Sequence, residues 1–168
     1  MTKTLDQVSP EQDIAYLRRA VHMALEAERM GNLPIGAVIT LDARIIAEAG
    51  NAVVIPHYHP GRHAEIEALK HVPANLWPLS RAMTCYTTLE PCVMCAGALL
   101  LHGVGRVVFG TTDTEGGAGH LLAHLPDYYA NGAGVPQWVG PMMPELCDAL
   151  YARSKERFDR LPCGRDQF

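Results

Sequence analysis

Residues 83–110 read MTCYTTLEPCVMCAGALLLHGVGRVVFG, and the architecture turns on them. Met83–Leu89 is rich in β-branched and aromatic side chains and reads as a buried strand. Pro91 suits the first turn of a helix running to about His102, and Arg106–Gly110 reads as the next short strand. Upstream, Ser9 and Gln12 occupy the two positions of a capping box around Pro10. Ile14, Leu17, Val21, Ala24 and Leu25 then recur at helical spacing until Gly31 stops the helix. Two β-like runs, Ile35–Leu41 and Arg44–Ala49, are separated only by Asp42-Ala43 and predict a hairpin. The proline-bearing loop Asn51–Gly61 delivers the chain to a helix from near His63 to about His71, and Pro73–Leu79 forms a second connection. Downstream, the Gly116–Gly119 turn precedes a short helix. Residues 126–141 (PDYYANGAGVPQWVGP) are predicted as a loop and a candidate lid, and a helix from Pro144 to about Arg160 closes the chain. Helix, hairpin, then alternating helix and strand predict an α/β fold, a three-layer α/β/α sandwich around a mixed sheet. It forms a single domain over 1–168 with its core at about 11–125.

A chain of 168 residues is long enough for one domain with a real core. Hydrophobic residues at 48% against charged residues at 19% exclude a disordered or collagen-like chain. Fourteen basic residues (Lys+Arg 14) against 18 acidic ones give a formal charge of −4, which removes any strong global attraction to phosphate backbones. The most basic patch, Arg153, Lys155, Arg157 and Arg160, alternates with Glu156 and Asp159 and is predicted as a solvated helix face with internal ion pairs. No apolar run approaches the ~20 residues that span a bilayer. The opening MTKTLDQVSPEQD lacks the apolar stretch of a secretory signal, so a cytoplasmic location and no membrane partner are expected. The odd count of five cysteines points to metal binding or free thiols rather than a disulfide framework.

His63-Ala64-Glu65 at one helix start and Pro91-Cys92-Val93-Met94-Cys95 at another carry the chemistry. Cys92 and Cys95, three apart in the first turn of a helix, point their sulfurs to one side, where the positive helix end favours thiolates. One imidazole and two thiolates match a tetrahedral Zn2+ site whose fourth corner stays open to water, as in catalytic rather than structural zinc. Two thiolates neutralise the dication and weaken it as a Lewis acid, so that water needs a neighbouring base, the role expected of Glu65. Residues two apart diverge on a regular helix, so His63 and Glu65 converge only if they straddle its first turn. His63 and Glu67 would share a face, but Glu67 is expected to be a solvated carboxylate near Lys70. A structural zinc or a redox pair is the alternative reading of the two cysteines.

These strings resemble the zinc-dependent cytidine deaminase-like superfamily, whose HAE and PCxxC pattern is matched by His63–Glu65 and Pro91–Cys95. LPIGAVI (33–39), HAEIEAL (63–69), TTLEPCVMCAGAL (87–99) and GRVVFG (105–110) are similar to the bacterial tRNA adenosine deaminase branch and its purine-base deaminase relatives. The resemblance implies a five-stranded sheet, zinc on His63, Cys92 and Cys95, and proton shuttling by Glu65. It further implies that Asn51 holds the base or sugar, that Ile35 walls the base pocket, and that the backbone amides near Ala64 and Cys92 orient substrate. A homodimer is implied too. The chain departs from these relatives at His57–Arg62, where they carry a short Asp-Pro-Thr-type approach, and in its C-terminal helix, ALYARSKERF (149–158).

The expected activity is hydrolytic deamination of an exocyclic nucleobase amine. A free base or nucleoside, with guanine or adenine favoured, is preferred because the acidic balance supplies little phosphate neutralisation. The alternative is a tRNA-specific adenosine deaminase acting at the wobble position, and the remote alternative a non-catalytic, zinc-stabilised binding module. Cys85, Cys147 and Cys163 are expected to be buried free thiols. Glu90 is expected to support the site as a capping or outer carboxylate. His57 and His59 are read as surface groups with a possible substrate or second-metal role, and Tyr128, Tyr129 and Trp138 as either lid aromatics or packing for the loop.

Overall fold

A computed structural model describes residues 8–131 and 134–161; Cys163 therefore lies outside the described residues. Helix α1 (Pro10–Arg29) begins where the capping box places it: Ser9 Oγ accepts from Gln12 N–H (3.3 Å) while Gln12 Oε1 accepts from Ser9 N–H (3.0 Å). Strands β1 (Gly36–Leu41) and β2 (Arg44–Gly50) form the hairpin, and Asp42 and Ala43 both take positive φ (50° and 55°), the turn geometry that matches strand twist. Helix α2 (Ala64–His71), a 3₁₀ stretch Ala74–Ala82, strand β3 (Thr84–Leu89), helix α3 (Val93–Leu101) and strand β4 (Arg106–Thr111) follow. A 3₁₀ turn at Gly119–His124, helix α4 (Asp127–Asn131), strand β5 (Gln137–Val139) and helix α5 (Pro144–Asp159) complete the described chain.

The sheet runs β2-β1-β3-β4-β5, with β1 antiparallel to β2 and β3, and β3, β4 and β5 parallel. Alternation along each strand sorts side chains to two faces. Ala37, Ile39, Cys85 and Val107 pack with Ala64, Ala68 and Leu99 of α2 and α3. Val38, Tyr86 and Val108 pack with Leu17 and Ala20 of α1 and Cys147 of α5. The expected three layers and mixed five-stranded sheet are present. One expectation needs correction: residues 126–141 are not merely a loop, since they contain α4 and β5. With three residues between Pro136 and Gly140-Pro141, this edge strand is too short to show a periodic pattern, and its prolines read as loop.

Two close contacts fix where the sheet's business end lies. Gly36 and Gly50 are register partners across β1 and β2. A Cβ on Gly36 would stand 2.1 Å from Ala20 O, and one on Gly50 would stand 2.8 Å from Met23 O, so α1 lies directly on bare backbone. Across the sheet, buried Asp13 of α1 accepts two bonds from the Arg106 guanidinium (2.7 Å each) and one from the Tyr86 phenol (2.8 Å), satisfying a charge inside the fold. The start of β1 and the ends of β2, β3 and β4 then share one edge, the carboxyl-end edge where open α/β sheets hold ligands. Gly36→Ala is expected to lower stability by about 2 kcal/mol through forced displacement of α1. An unchanged urea midpoint would show that α1 does not depend on this seat.

Candidate active site

His63 is the residue just before α2 and Glu65 the second residue within it, so the pair straddles the first turn as convergence requires. Cys92 stands in the same position before α3, with Cys95 one turn in. Both caps have extended backbone and neither makes a side-chain cap bond, which leaves imidazole and thiol free to face each other across the two helix starts. His63 Nδ1 lies 3.6 Å from Cys92 Sγ and 3.6 Å from Cys95 Sγ, and all three ligand atoms fall within 4.8 Å of one another. A tetrahedral zinc with bonds of about 2.3 Å to sulfur and about 2.0 Å to nitrogen separates S from N by about 3.6 Å, so the donor set fits the ion in distance and in kind. Among the described residues, Cys85 is not part of this cluster: it is a buried free thiol in the core on β3. Cys147 is likewise buried, against the opposite face.

Glu65 is 3% exposed. Its Oε1 accepts from Thr87 Oγ1 (2.9 Å), and Oε2 accepts from the Cys95 thiol (3.4 Å). Burial pushes its pKa up against the opposing pull of His63 and of its own backbone N–H. The neighbouring Cys95 and His63 hold the Cys92 thiol down to about 4 despite burial. Cys92, burial and the Glu65 charge push the Cys95 thiol up. For His63, burial is outweighed by Cys92 and by the charge of Glu65, and its pKa rises.

These groups open into a cavity of about 340 Å³, enough for a nucleobase with part of a sugar. Leu33, Ile35, Val53 and Leu89 supply apolar wall. Asn51 also lines it and is 2% exposed. Its Oδ1 accepts from Val53 N–H (3.0 Å), whereas its buried Nδ2 has no hydrogen-bond partner, an orphan donor of the kind a ligand acceptor satisfies. Asn51 N–H donates to Ile35 O (2.8 Å), which ties the two pocket residues together beside Gly36 and Gly50.

Other expectations fall differently. Ala64 is fully buried, its methyl is part of the core, and its side chain does not line the cavity; only its backbone N–H stands at the helix start. Glu67 is nearly buried and pairs with Arg62 as well as Lys70, which corrects the solvated reading. Glu90 Oε1 accepts from Gly119 N–H (3.1 Å) and Trp138 Nε1 (3.2 Å), so Trp138 packs under the site and is no lid. Tyr128 is 77% exposed and stacks edge-on against Tyr129, away from the cavity. His57 and His59 are exposed, and the loop sends Tyr58 and Pro60 to the cavity instead.

The charged face of α5 is partly or fully solvent-exposed as expected, but most of its ion pairs are not internal: Arg153 binds Glu28, Lys155 binds Glu115 and Arg157 donates to Gly31 O (2.6 Å), whereas Arg160 pairs with Glu156 four residues earlier. Sequence reasoning missed Asp113, Tyr151 and Phe158 as cavity residues. Asp113 ahead of Gly116-Gly117 was the available sign, since aspartate in such a turn bonds the following N–H groups.

Because burial raises the Glu65 pKa, the native metal-free protein binds this proton more tightly than the unfolded chain, so the stabilising contribution is present at low pH and lost as pH rises. Glu65→Gln is therefore expected to raise the melting temperature of the metal-free protein, by more at pH 8 than at pH 5. Each kcal/mol appears as about 2–4 °C. A variant that melts lower than wild type at pH 8 would contradict the assignment of burial as the dominant cause.

Comparison with known proteins agrees with this geometry. The family model for the cytidine and deoxycytidylate deaminase zinc-binding region matches residues 10–111. The chain is 41% identical over 128 residues to the tRNA-specific adenosine deaminase of Haemophilus influenzae, covering 74% of this chain and 73% of that one. It is 42% identical over 118 residues to the tRNA-specific adenosine deaminase of Bacillus subtilis, covering 68% and 71%. A structure from a study of A-to-I editing by tRNA:A34 deaminases at the wobble position superposes with a TM-score of 0.68 at 27% identity, over 82% of this chain and 99% of that one. With one imidazole, two thiolates and a buried carboxylate at paired helix starts, the chain belongs to the cytidine and deoxycytidylate deaminase family and is a zinc-dependent deaminase.

Proposed function

We propose that this protein is a tRNA adenosine deaminase, converting an adenine amine to a carbonyl at the wobble position. The reading rests on the orphan donor of Asn51, held in one cavity with His63, Glu65 and Cys92, in a chain similar to two tRNA-specific adenosine deaminases. His63, Cys92 and Cys95 hold zinc, which supplies Lewis acidity that makes a water nucleophilic near neutral pH. Asn51 Nδ2 donates to an acceptor on the base or sugar, and Ile35 packs against the ring. The N–H of Ala64 lies at the positive end of α2, between the His63 and Glu65 positions. Glu65 would take the water's proton and pass it to the ring nitrogen as the C–O bond forms, then carry the proton of the new hydroxyl to the amine, so that the C–N bond breaks, ammonia leaves and the carbonyl remains. Its raised pKa suits both directions of transfer. The domain is read as a single unit over 1–168. A cytoplasmic homodimer completes the reading: the similar bacterial enzymes act on tRNA, and Val93, Met94 and Leu101 of α3 are exposed apolar groups.

A free purine base or nucleoside as substrate is the second reading. It is favoured by the charges at the cavity: Lys155 is engaged by Glu115, and Asp113 and Asp159 line the same cavity, while Arg153 and Arg62 elsewhere are engaged by Glu28 and Glu67. Polynucleotide binding needs cations released to phosphates.

Ammonia release from an anticodon stem-loop with a wobble adenosine is compared with release from adenosine, adenine and guanine. Turnover of the stem-loop that falls steeply with salt is expected, and Glu65→Ala should lower it by about 10³-fold with zinc retained. Salt-insensitive turnover of the small substrates alone would replace the first reading by the second, and no ammonia from any of them would overturn both.

A further inference from the structure

Gly117 pairs with Cys92 in an isolated antiparallel bridge, and Ala118 N–H donates to Pro91 O at 3.0 Å. The residues after β4 are thereby strapped against the segment that carries a metal ligand. Asp113 holds them in shape. Its Oδ1 accepts from Glu115 N–H (3.0 Å) and Gly116 N–H (2.9 Å), and its carbonyl accepts from Gly117 N–H (3.0 Å). A third bond to the same Oδ1 comes from outside the turn, from the Tyr151 phenol on α5, at 2.6 Å. Tyr151, Asp113, Gly116 and Cys92 all line the one cavity. The path from α5 to the ligand is therefore short and continuous: phenol, carboxylate, turn, Gly117, Cys92.

We propose that Tyr151 is a positioning residue for the metal centre, its phenol acting through Asp113 and the turn ending at Gly117 to hold Cys92 where the three ligands converge. A phenol-to-carboxylate bond is charge-assisted and stronger than a neutral one. With three donors on one oxygen, the Asp113 turn is held in a single arrangement, and Gly117 meets Cys92 in a fixed place. Outer partners that orient ligands change metal affinity by about 10–100-fold when removed. The α5 helix has a separate fastening in the Arg153–Glu28 pair, which leads to the end of α1 and not to the Asp113 turn. That second fastening separates loss of the strut from general loosening of the helix.

Tyr151→Phe keeps the ring and removes the bond, and Asp113→Ala removes its acceptor. Zinc should pass from each variant to a chromogenic chelator about tenfold faster than from wild type. The thiolate-to-metal absorption of the cobalt-substituted protein should shift in both. The double variant should release zinc no faster than the faster single one, because both side chains serve one strut. Arg153→Gln should release zinc at the wild-type rate. Wild-type release from both single variants, additive acceleration in the double variant, or equal acceleration in Arg153→Gln would each overturn the proposal. Should Asp113→Ala fail to fold, Tyr151→Phe against Arg153→Gln still decides. All readouts are on the metal, so the outcome is independent of which amine-bearing substrate the site accepts.

Discussion

Two helix starts facing one another are the constraint on which the molecule depends. His63 precedes α2 and Cys92 precedes α3, both in extended backbone, so each side chain leaves its helix end instead of lying along the helix flank. Cys95 and Glu65, inside the first turns, then come to the same point. The consequence is electrostatic: two sulfurs, one imidazole and one carboxylate meet at the positive ends of two short helices. Burial pushes the Glu65 pKa up, and Thr87 supplies a hydrogen bond to Oε1 that fixes its orientation. The site is a cluster of mutually uncomfortable groups, and a dication resolves that discomfort by taking both thiolates as ligands.

The rest of the fold serves to place the other wall of the cavity. The bare backbone at Gly36 and Gly50 lets α1 sit against β1 and β2, and the next residues outward, Ile35 and Asn51, are joined by a backbone bond at the cavity. On the far side, α5 is tied to the Gly31 loop, to the end of α1 and to the Asp113 turn. Tyr151 and Phe158 thus close a pocket whose floor comes from the sheet edge. Hydrogen bonds that span many residues of sequence do the placing, whereas the chemistry comes from two local motifs.

That division explains what could be read in the sequence. Local signals were legible: the Ser9–Gln12 capping box, the Asp42-Ala43 turn, and the HAE and PCxxC spacings, because each is written within a few residues. Strand β5 was not, since three residues between prolines carry no period. The pairing of the α5 charges was misread for another reason. Their partners, Glu28, Glu115 and Gly31 O, are 40 to 126 residues away in sequence, so no helical spacing reveals them. The preference for a free base rests on net charge, a quantity that says nothing about where charges sit. Asn51 was legible as a position, but its orphan Nδ2 became visible only once burial was known.

On this reading three protein atoms, from His63, Cys92 and Cys95, and no fourth, hold the metal. X-ray absorption at the zinc edge of the reconstituted protein tests it. One zinc per chain is expected, with two sulfur neighbours at about 2.3 Å and light-atom neighbours at about 2.0 Å. A third or fourth sulfur around the ion, or a protein that retains no zinc after reconstitution, would contradict it.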